Sequence, residues 1–235
     1  LPPVQGDILV FDIQSGQRIA VLDGPTVTAR RTAAVSLLAA QKLTPGLRGP
    51  MLIVGAGDQG RAHLEAFHTG MGVREVWVHS RSEASAQALV LHAQSLGTQA
   101  MQVSAPNKVV LDCAWVMTTT PALEVVMTTA PAPGAFVSAV GAFTPQMAEW
   151  SAPVCQALLH TAMLVVDTRD ADHEAGDLLQ AGVNVAALPT LGDVVCHGAQ
   201  KAMGPKAGQT VFFKNCGWAG WDLAAARCAV AGLLA

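Results

Sequence analysis

The stretch Met51 to Gly60, MLIVGAGDQG, constrains this chain most: four apolar residues, then glycines at 55, 57 and 60. An apolar run that passes directly into the helix-compatible segment Arg61 to His68 reads as a buried strand turning into a helix. In that setting Gly55 permits the tight turn and Gly57 lets the backbone come up against a pyrophosphate. Gly60 lets the helix pack closely on the strand, with its N-terminus facing the phosphates. Ala56, Asp58 and Gln59 complete the loop, so residues 55–60 form a candidate dinucleotide cradle. Glycines at this spacing also occur in ordinary turns; the strand before them and the helix after them separate the two readings here.

The 235 residues are 51% hydrophobic and 13% charged, enough to bury a large core in one or two domains and too apolar for disorder. Lys and Arg total 14 against 17 for Asp and Glu, a net charge of −3. No basic cluster is present to neutralise a nucleic-acid backbone, so nucleic acid is not an expected partner. The mean hydropathy of +0.37 is high, but no run of about 18 apolar residues escapes a Gly, Pro or charge, so no membrane span is expected. The five cysteines (Cys113, Cys155, Cys196, Cys216, Cys228) are scattered, without CxxC or His/Cys ligand spacing. They suit buried thiols in a reducing compartment, and with no signal-peptide pattern the expected location is cytoplasmic. The opening Leu1-Pro2-Pro3 reads like the interior of a longer protein whose N-terminal portion is missing.

Residues 8–13 and 18–22 are β-rich runs joined by Gln14-Ser15-Gly16-Gln17, which predicts an antiparallel hairpin. Thr26 or Thr28 can cap a helix running to about Lys42. Arg30 and Arg31 lie in its first turns, where the helix macrodipole favours acids. They are either surface arginines or guanidinium groups aimed at an anion. From residue 49 strands and helices alternate: strand 51–54, helix to about 69, strand 74–79, helix 82–96, strand near 99–103. Short apolar runs follow at Cys113–Met117, Phe136–Val140 and Leu164–Asp167. Strands separated by helices predict right-handed crossovers and an α/β fold, a Rossmann-type doubly wound parallel sheet. Residues 210–217 (TVFFKNCG) read as strand and turn, leading into an Ala-rich helix from Trp218 to Leu234 that can pack on the opening hairpin. Both chain ends then build a second, smaller domain.

The end of the second sheet strand chooses between carriers. An NAD site usually places an acid there, about 20 residues beyond the glycines, to bind the ribose hydroxyls. This chain has His79-Ser80-Arg81-Ser82. Arg81 can pair with a 2′-phosphate and Ser80 and Ser82 can donate to it, which favours NADP. In an open α/β sheet ligands lie beyond the carboxyl ends of the strands, where Thr118, Thr119, Thr120, Val140 and Gly141 fall. Gly141 would allow close approach to a nicotinamide. In the polar stretch 169–180, His173, Glu174 and Asp177 have helical spacing but lack the second His of an HExxH site. No metal is expected, and the default is a solvated helix with internal charge pairs.

Six segments in this order resemble the ornithine cyclodeaminase/μ-crystallin family of NAD(P)-dependent proteins. They are VFDIQSGQRIAVLDG, TARRTAAVS, VGAGDQGRAH, VHSRS, PGAFVSAVGAFTPQMAE and FFKNCGWAGWDLAAA. The resemblance implies an NADP-binding Rossmann domain, residues 28–190, joined to a dimerisation and substrate domain, residues 1–27 plus 191–235, with a homodimer as the assembly. By resemblance Arg31 and Thr32 meet the cofactor phosphates. Asn215 stands where the family commonly has Ser, in contact with the nicotinamide end, and Phe143 and Cys216 lie where the substrate would be.

Two departures bear on activity. The family's ornithine cyclodeaminases carry an acid where this chain has Phe143, which cannot move protons. The family's substrate-binding Arg and Lys have no counterpart here. Within the family AVGAFTPQMAE, HEAGDLLQAG and CGWAGWDLAAARCA are most similar to the Δ1-pyrroline-2-carboxylate/Δ1-piperideine-2-carboxylate reductases. The implied function is therefore NADPH-dependent reduction of a cyclic ketimine acid to L-proline or L-pipecolate. The alternatives are an ornithine cyclodeaminase or alanine-dehydrogenase-like enzyme, or a μ-crystallin-like NADPH-dependent binding protein. These residues do not identify the proton donor: upstream residues, a water and His173 are equal candidates.

Overall fold

The computed structural model describes residues 4–197 and 205–233. The opening residues 1–3, and residues 198–204 and 234–235 of the segment assigned to the second domain, lie outside the described residues. The chain opens with a hairpin, β1 (Asp7–Phe11) and β2 (Arg18–Asp23), followed by α1 (Gly24–Leu43). The alternating part runs β3 (Met51–Val54), α2 (Asp58–Gly70), β4 (Glu75–His79), α3 (Glu83–Ser95), β5 (Gln99–Gln102), α4 (Pro106–Val109), β6 (Trp115–Thr118), β7 (Phe136–Ala139). It ends with α5 (Ala152–Thr161), β8 (Ala162–Val166), α6 (Gly176–Gln180), α7 (Leu191–His197), β9 (Thr210–Lys214) and α8 (Ala219–Leu233).

Local chemistry moved two expected boundaries. The first strand stops at Phe11 because the Asp12 carboxylate accepts from the Gln14 and Ser15 amides at 3.1 and 2.7 Å and closes the turn. Helix α1 starts earlier than either threonine: Asp23 is its N-cap, accepting from the Thr26 amide at 2.8 Å, and Pro25 sits in the first turn, where its missing N–H is harmless.

The large sheet is parallel throughout, in the order β5-β4-β3-β6-β7-β9-β8. Its central strands are buried on both faces, as parallel strands under helices must be. Met51, Ile53, Val76, Val78, Trp115, Met117, Phe136 and Phe213 face a core shared with α1, α2, α3 and α7; Leu52, Val54, Val116, Val137, Leu164 and Phe212 face the other core, with α5 and Trp150. The expected second domain is corrected here. The resemblance places residues 210–214 in it, yet β9 lies inside the large sheet between β7 and β8, and Leu191 and Val194 of α7 join the same core. The reason is β9's own pattern: Val211 and Phe213 point one way and Phe212 the other, all fully buried, which only a sheet covered on both faces satisfies. Helix α8 packs on α1 and touches β2.

Candidate functional site

The turn between β3 and α2 has the geometry its glycines call for. Gly55 takes φ = +111° and donates to the His79 carbonyl at 2.8 Å; a Cβ there would lie 2.7 Å from the Thr119 carbonyl group. At Gly60 a Cβ would meet the Gly55 oxygen at 2.1 Å. Around Gly57 there is open space: no atom lies within 4 Å of where its Cβ would stand. Gly57 is also the N-cap of α2 and supplies no side-chain cap, so the amides of a 13-residue helix face outward unpaired at this end. Ala56 is half-buried and Asp58 is exposed; Gln59 turns its Oε1 inward, where it is buried without a partner.

At the end of β4, Ser80 is half-buried while Arg81 and Ser82 are exposed. Ser82 caps α3, accepting from the Ser85 amide at 3.2 Å. Its own hydroxyl proton is left to donate.

The ends of β6 and β7 are held by a carboxylate the motifs did not single out. Glu149 is fully buried and accepts from the Thr118 hydroxyl (2.7 Å), the Thr120 amide and hydroxyl (2.6 and 2.9 Å) and the Gly141 amide (2.8 Å). Trp150 Nε1 donates to the same Thr118 oxygen at 3.1 Å. Thr118 is thus corrected as a cofactor-lining residue: as the last residue of β6 it turns its hydroxyl into the protein, with no exposed surface. Thr119 and Thr120 remain half-buried at the crevice, and Thr119 ties it to the glycine turn through a 2.9 Å bond to the Gly55 oxygen. Val140 and Gly141 are buried, and the space a Gly141 side chain would need is filled by the Thr120 oxygen (2.2 Å) and the Glu149 carboxylate (2.4 Å).

Beneath Glu149 lies an ion pair. Asp177 Oδ1 accepts from the Glu149 and Trp150 amides at 2.6 and 2.9 Å, and its Oδ2 pairs with Lys214 Nζ at 2.9 Å, both side chains fully buried. Burial, then Asp177, push the Glu149 carboxyl above the usual range, with Lys214 and the hydrogen bonds opposing. Lys214 is raised because Asp177, Cys216 and Glu149 together outweigh its desolvation. The solvated-helix expectation for 169–180 is therefore overturned at Asp177. Residues 169–173 form a 3₁₀ turn and α6 begins only at Gly176, so His173, exposed beside Asp172, and Glu174, half-buried, share no face with Asp177. The missed signal was Lys214 itself, a cation within the apolar run TVFFKN, which demands a buried acid.

The third side of the crevice is built by α1, the β9–α8 turn and the end of β8. Arg31 Nε bonds Asp222 of α8 at 2.9 Å, while its Nη1 is buried without a partner next to Gly217. Thr32 is buried and offers its carbonyl to Asn215 Nδ2 at 3.2 Å. Asp167, one residue beyond β8, accepts from the Gly217 and Thr168 amides at 2.7 and 2.9 Å and is pushed up to about 6 by burial, those bonds opposing. Cys216 is half-buried, its thiol pushed up to about 12 by burial despite Lys214, and so stays protonated. Phe143 is 53% exposed. Arg81 follows the end of β4, whereas Arg31 lies on α1 against Gly217, which follows β9, so the two fall on opposite sides of β3 and its glycine turn in the strand order.

These features fit a dinucleotide. An uncapped helix N-terminus beside open space suits a pyrophosphate, and an unpartnered, buried guanidinium N–H suits an anion.

The sequence model described as the ornithine cyclodeaminase/mu-crystallin family matches residues 1–231. The chain is 34% identical over 232 residues to Delta(1)-pyrroline-2-carboxylate reductase 2 of Burkholderia ambifaria, a match covering 97% of this chain and 70% of that protein. It is 35% identical over 229 residues to the ketimine reductase mu-crystallin of Rattus norvegicus, covering 97% and 69%. The structure of Thermococcus litoralis Delta(1)-pyrroline-2-carboxylate reductase, in complex with NADH and L-proline, aligns with a TM-score of 0.89 at 23% identity, over 100% of this chain and 73% of that one. At that identity the likeness is one of fold.

Proposed function

The chain belongs to the ornithine cyclodeaminase/mu-crystallin family, and from that premise we propose that it is an oxidoreductase acting on C=N bonds. Its substrate is a cyclic ketimine acid, Δ1-pyrroline-2-carboxylate or Δ1-piperideine-2-carboxylate, which it reduces with NADPH to L-proline or L-pipecolate. What supports the dinucleotide part of this reading is that an uncapped α2 follows β3, the Ser80-Arg81-Ser82 corner follows β4, and the unpartnered Arg31 Nη1 lies beside Gly217, which follows β9. Named relatives at 34 and 35% identity support the reaction class.

In this reading the first amides of α2 and Arg31 hold the pyrophosphate, and Ser80, Arg81 and Ser82 hold the 2′-phosphate. Thr119, Thr120, Val140, Gly141 and Asn215 border the nicotinamide half. When bound, NADPH supplies the hydride for the ring carbon of the C=N bond, and the nitrogen takes a proton. Phe143 shapes the substrate side without acid-base chemistry. Cys216 remains a thiol and Lys214, neutralised by Asp177, is not the cation that receives the substrate carboxylate. A protonated imine is already electrophilic, so the residues present serve by holding the reacting atoms together in a dry site. A homodimer is part of the proposal: Leu9, Phe11, Ile19 and Val21 form an exposed apolar face on the hairpin, the kind of surface a second copy covers. No helix among the described residues is long and apolar enough to cross a membrane.

NADPH oxidation and ammonia release by the purified protein decide the matter. NADPH consumption with the two cyclic imines, no ammonia released from ornithine alone, and no NADPH consumed with pyruvate plus ammonia is the expected result. Turnover confined to the latter substrates would assign an amino-acid enzyme; tight NADPH binding without turnover on any imine would assign a binding protein.

A further inference from the structure

Glu149 has no part in the reduction proposed above, yet its surroundings follow one rule: each carboxylate oxygen receives one backbone N–H and one hydroxyl. Oε1 accepts from the Thr120 amide and hydroxyl at 2.6 and 2.9 Å, and Oε2 from the Gly141 amide and the Thr118 hydroxyl at 2.8 and 2.7 Å. Each hydroxyl is free to point its proton at Glu149, since Thr118 Oγ1 itself accepts from Trp150 Nε1 and Thr120 Oγ1 from the Ala122 amide, both at 3.1 Å. Four donors thus meet the four acceptor positions of a carboxylate.

That arrangement excludes an amide of the same shape. A glutamine would carry an NH₂ in place of one oxygen, and on either side it would face a backbone N–H that cannot rotate away, that of Thr120 or that of Gly141. The carboxylate is also set in place from behind. The Glu149 and Trp150 amides donate to Asp177 Oδ1 at 2.6 and 2.9 Å, and the Glu149 carbonyl accepts from the Val126 and Met127 amides at 2.9 Å each. The residues it grips stand at the crevice. Thr118 and Thr120 flank Thr119, whose hydroxyl donates to the Gly55 oxygen of the glycine turn at 2.9 Å, and Gly141 lies just past β7, the next strand. On a parallel sheet the half of the dinucleotide beyond the glycine turn lies over these strand ends.

We propose that Glu149 is a positioning residue for the nicotinamide half of the carrier: by holding the turn after β6 and the turn after β7 on one carboxylate, it sets the separation of the two walls between which that half lies. The proposal rests on the dinucleotide reading above and adds to it a residue that, being fully enclosed, acts only through Thr120 and Gly141. Its effect falls on the binding of the nicotinamide half and on the alignment of the hydride with the ring carbon, where a misplacement of about 1 Å can cost about 100-fold in rate.

Calorimetric titration of the purified protein with NADPH and with 2′,5′-ADP, which has no nicotinamide, together with kcat and KM for the two cyclic imines, tests it. Glu149→Gln should bind 2′,5′-ADP as wild type does but NADPH about tenfold more weakly, the scale of one hydrogen bond. Its kcat should fall about 100-fold, far more than KM rises. Thr118→Val removes one of the four bonds at a side chain with no exposed surface, so it should show both losses in smaller measure. Thr118→Ser, which keeps the hydroxyl, should lose less of either than Thr118→Val. Retained 2′,5′-ADP binding certifies that a variant is folded; should Glu149→Gln lose it, the Thr118 pair decides. A Glu149→Gln protein that melted lower yet kept the wild-type NADPH affinity and kcat would overturn the proposal and leave the carboxylate a role in stability alone. Equal losses in the two Thr118 variants would overturn it too. If wild type binds NADPH but turns over neither imine, the affinities decide. Failure of wild type to bind either NADPH or 2′,5′-ADP would instead sink the dinucleotide reading itself.

Discussion

Lys214 shows how much a single buried side chain can hold in place. It is completely enclosed in β9 and its charge is met by Asp177 at 2.9 Å, whose other oxygen binds the Glu149 and Trp150 amides. Glu149 in turn grips the ends of β6 and β7. Removing the cation leaves two enclosed carboxylates facing each other, so Lys214→Met should destabilise the protein by about 3–5 kcal/mol in urea unfolding. Adding Asp177→Asn, which keeps an acceptor for those amides, should restore part of the loss; a double variant as weak as the sum of the singles would show that the pair does not couple. Arg81, by contrast, is exposed and its loss should leave the fold alone. Arg81→Ala should weaken NADPH about tenfold or more, the scale of a charge-assisted hydrogen bond, and NADH much less. Calorimetric titration that returned equal losses would remove the 2′-phosphate from this corner.

The strand–turn–helix of β3 and α2 separates two roles of glycine that the motif alone runs together. Gly57 has extended backbone, φ −89° and ψ −165°, and open space beside it, so Gly57→Ala should leave the melting temperature unchanged and still cut NADPH affinity by obstructing the phosphates. Gly60→Ala drives a methyl to 2.1 Å from the Gly55 oxygen, so it should lose both binding and roughly 1–3 kcal/mol of stability to overpacking. A melting temperature that fell equally in both variants would refute the division. This element was legible from sequence because its chemistry is local: an apolar strand, three glycines and a helix follow one another in the chain. So were most strands and the basic corner after β4. The position of β9 between β7 and β8 was not, since nothing near Thr210 says which strand it joins. The Glu149–Asp177–Lys214 cluster was hidden for the same reason. Its members come from a loop, α6 and β9, and the sequence spacing of His173, Glu174 and Asp177 pointed to a helix face that the break at Ala175 removes.

Across the whole molecule, burial of opposite kinds of titratable group makes stability between pH 4 and 6.5 a contest. His63 is fully enclosed and its imidazole is pushed down from 6.5 to about 4 by burial, with the Gln59 carbonyl opposing. Below pH 6.5 the unfolded chain takes up a proton that the native state refuses, so this group makes stability rise with pH from about 4 to 6.5 and is without further effect above. Asp167 is pushed up from 3.8 to about 6 by burial. There the native state holds the proton that the unfolded chain has already released, so stability falls as pH rises from 3.8 to about 6; Glu149 and Glu174, both raised, act in the same sense. Each of the two valued shifts is worth about 3 kcal/mol at most across its window, and their signs oppose. His63 should therefore flatten the decline that the raised carboxyls impose between pH 4.5 and 6.5. His63→Phe should steepen the fall of the urea midpoint as pH rises through that interval, and Asp167→Asn should lessen it. If both variants kept the wild-type slope, neither group would be titrating as its surroundings dictate.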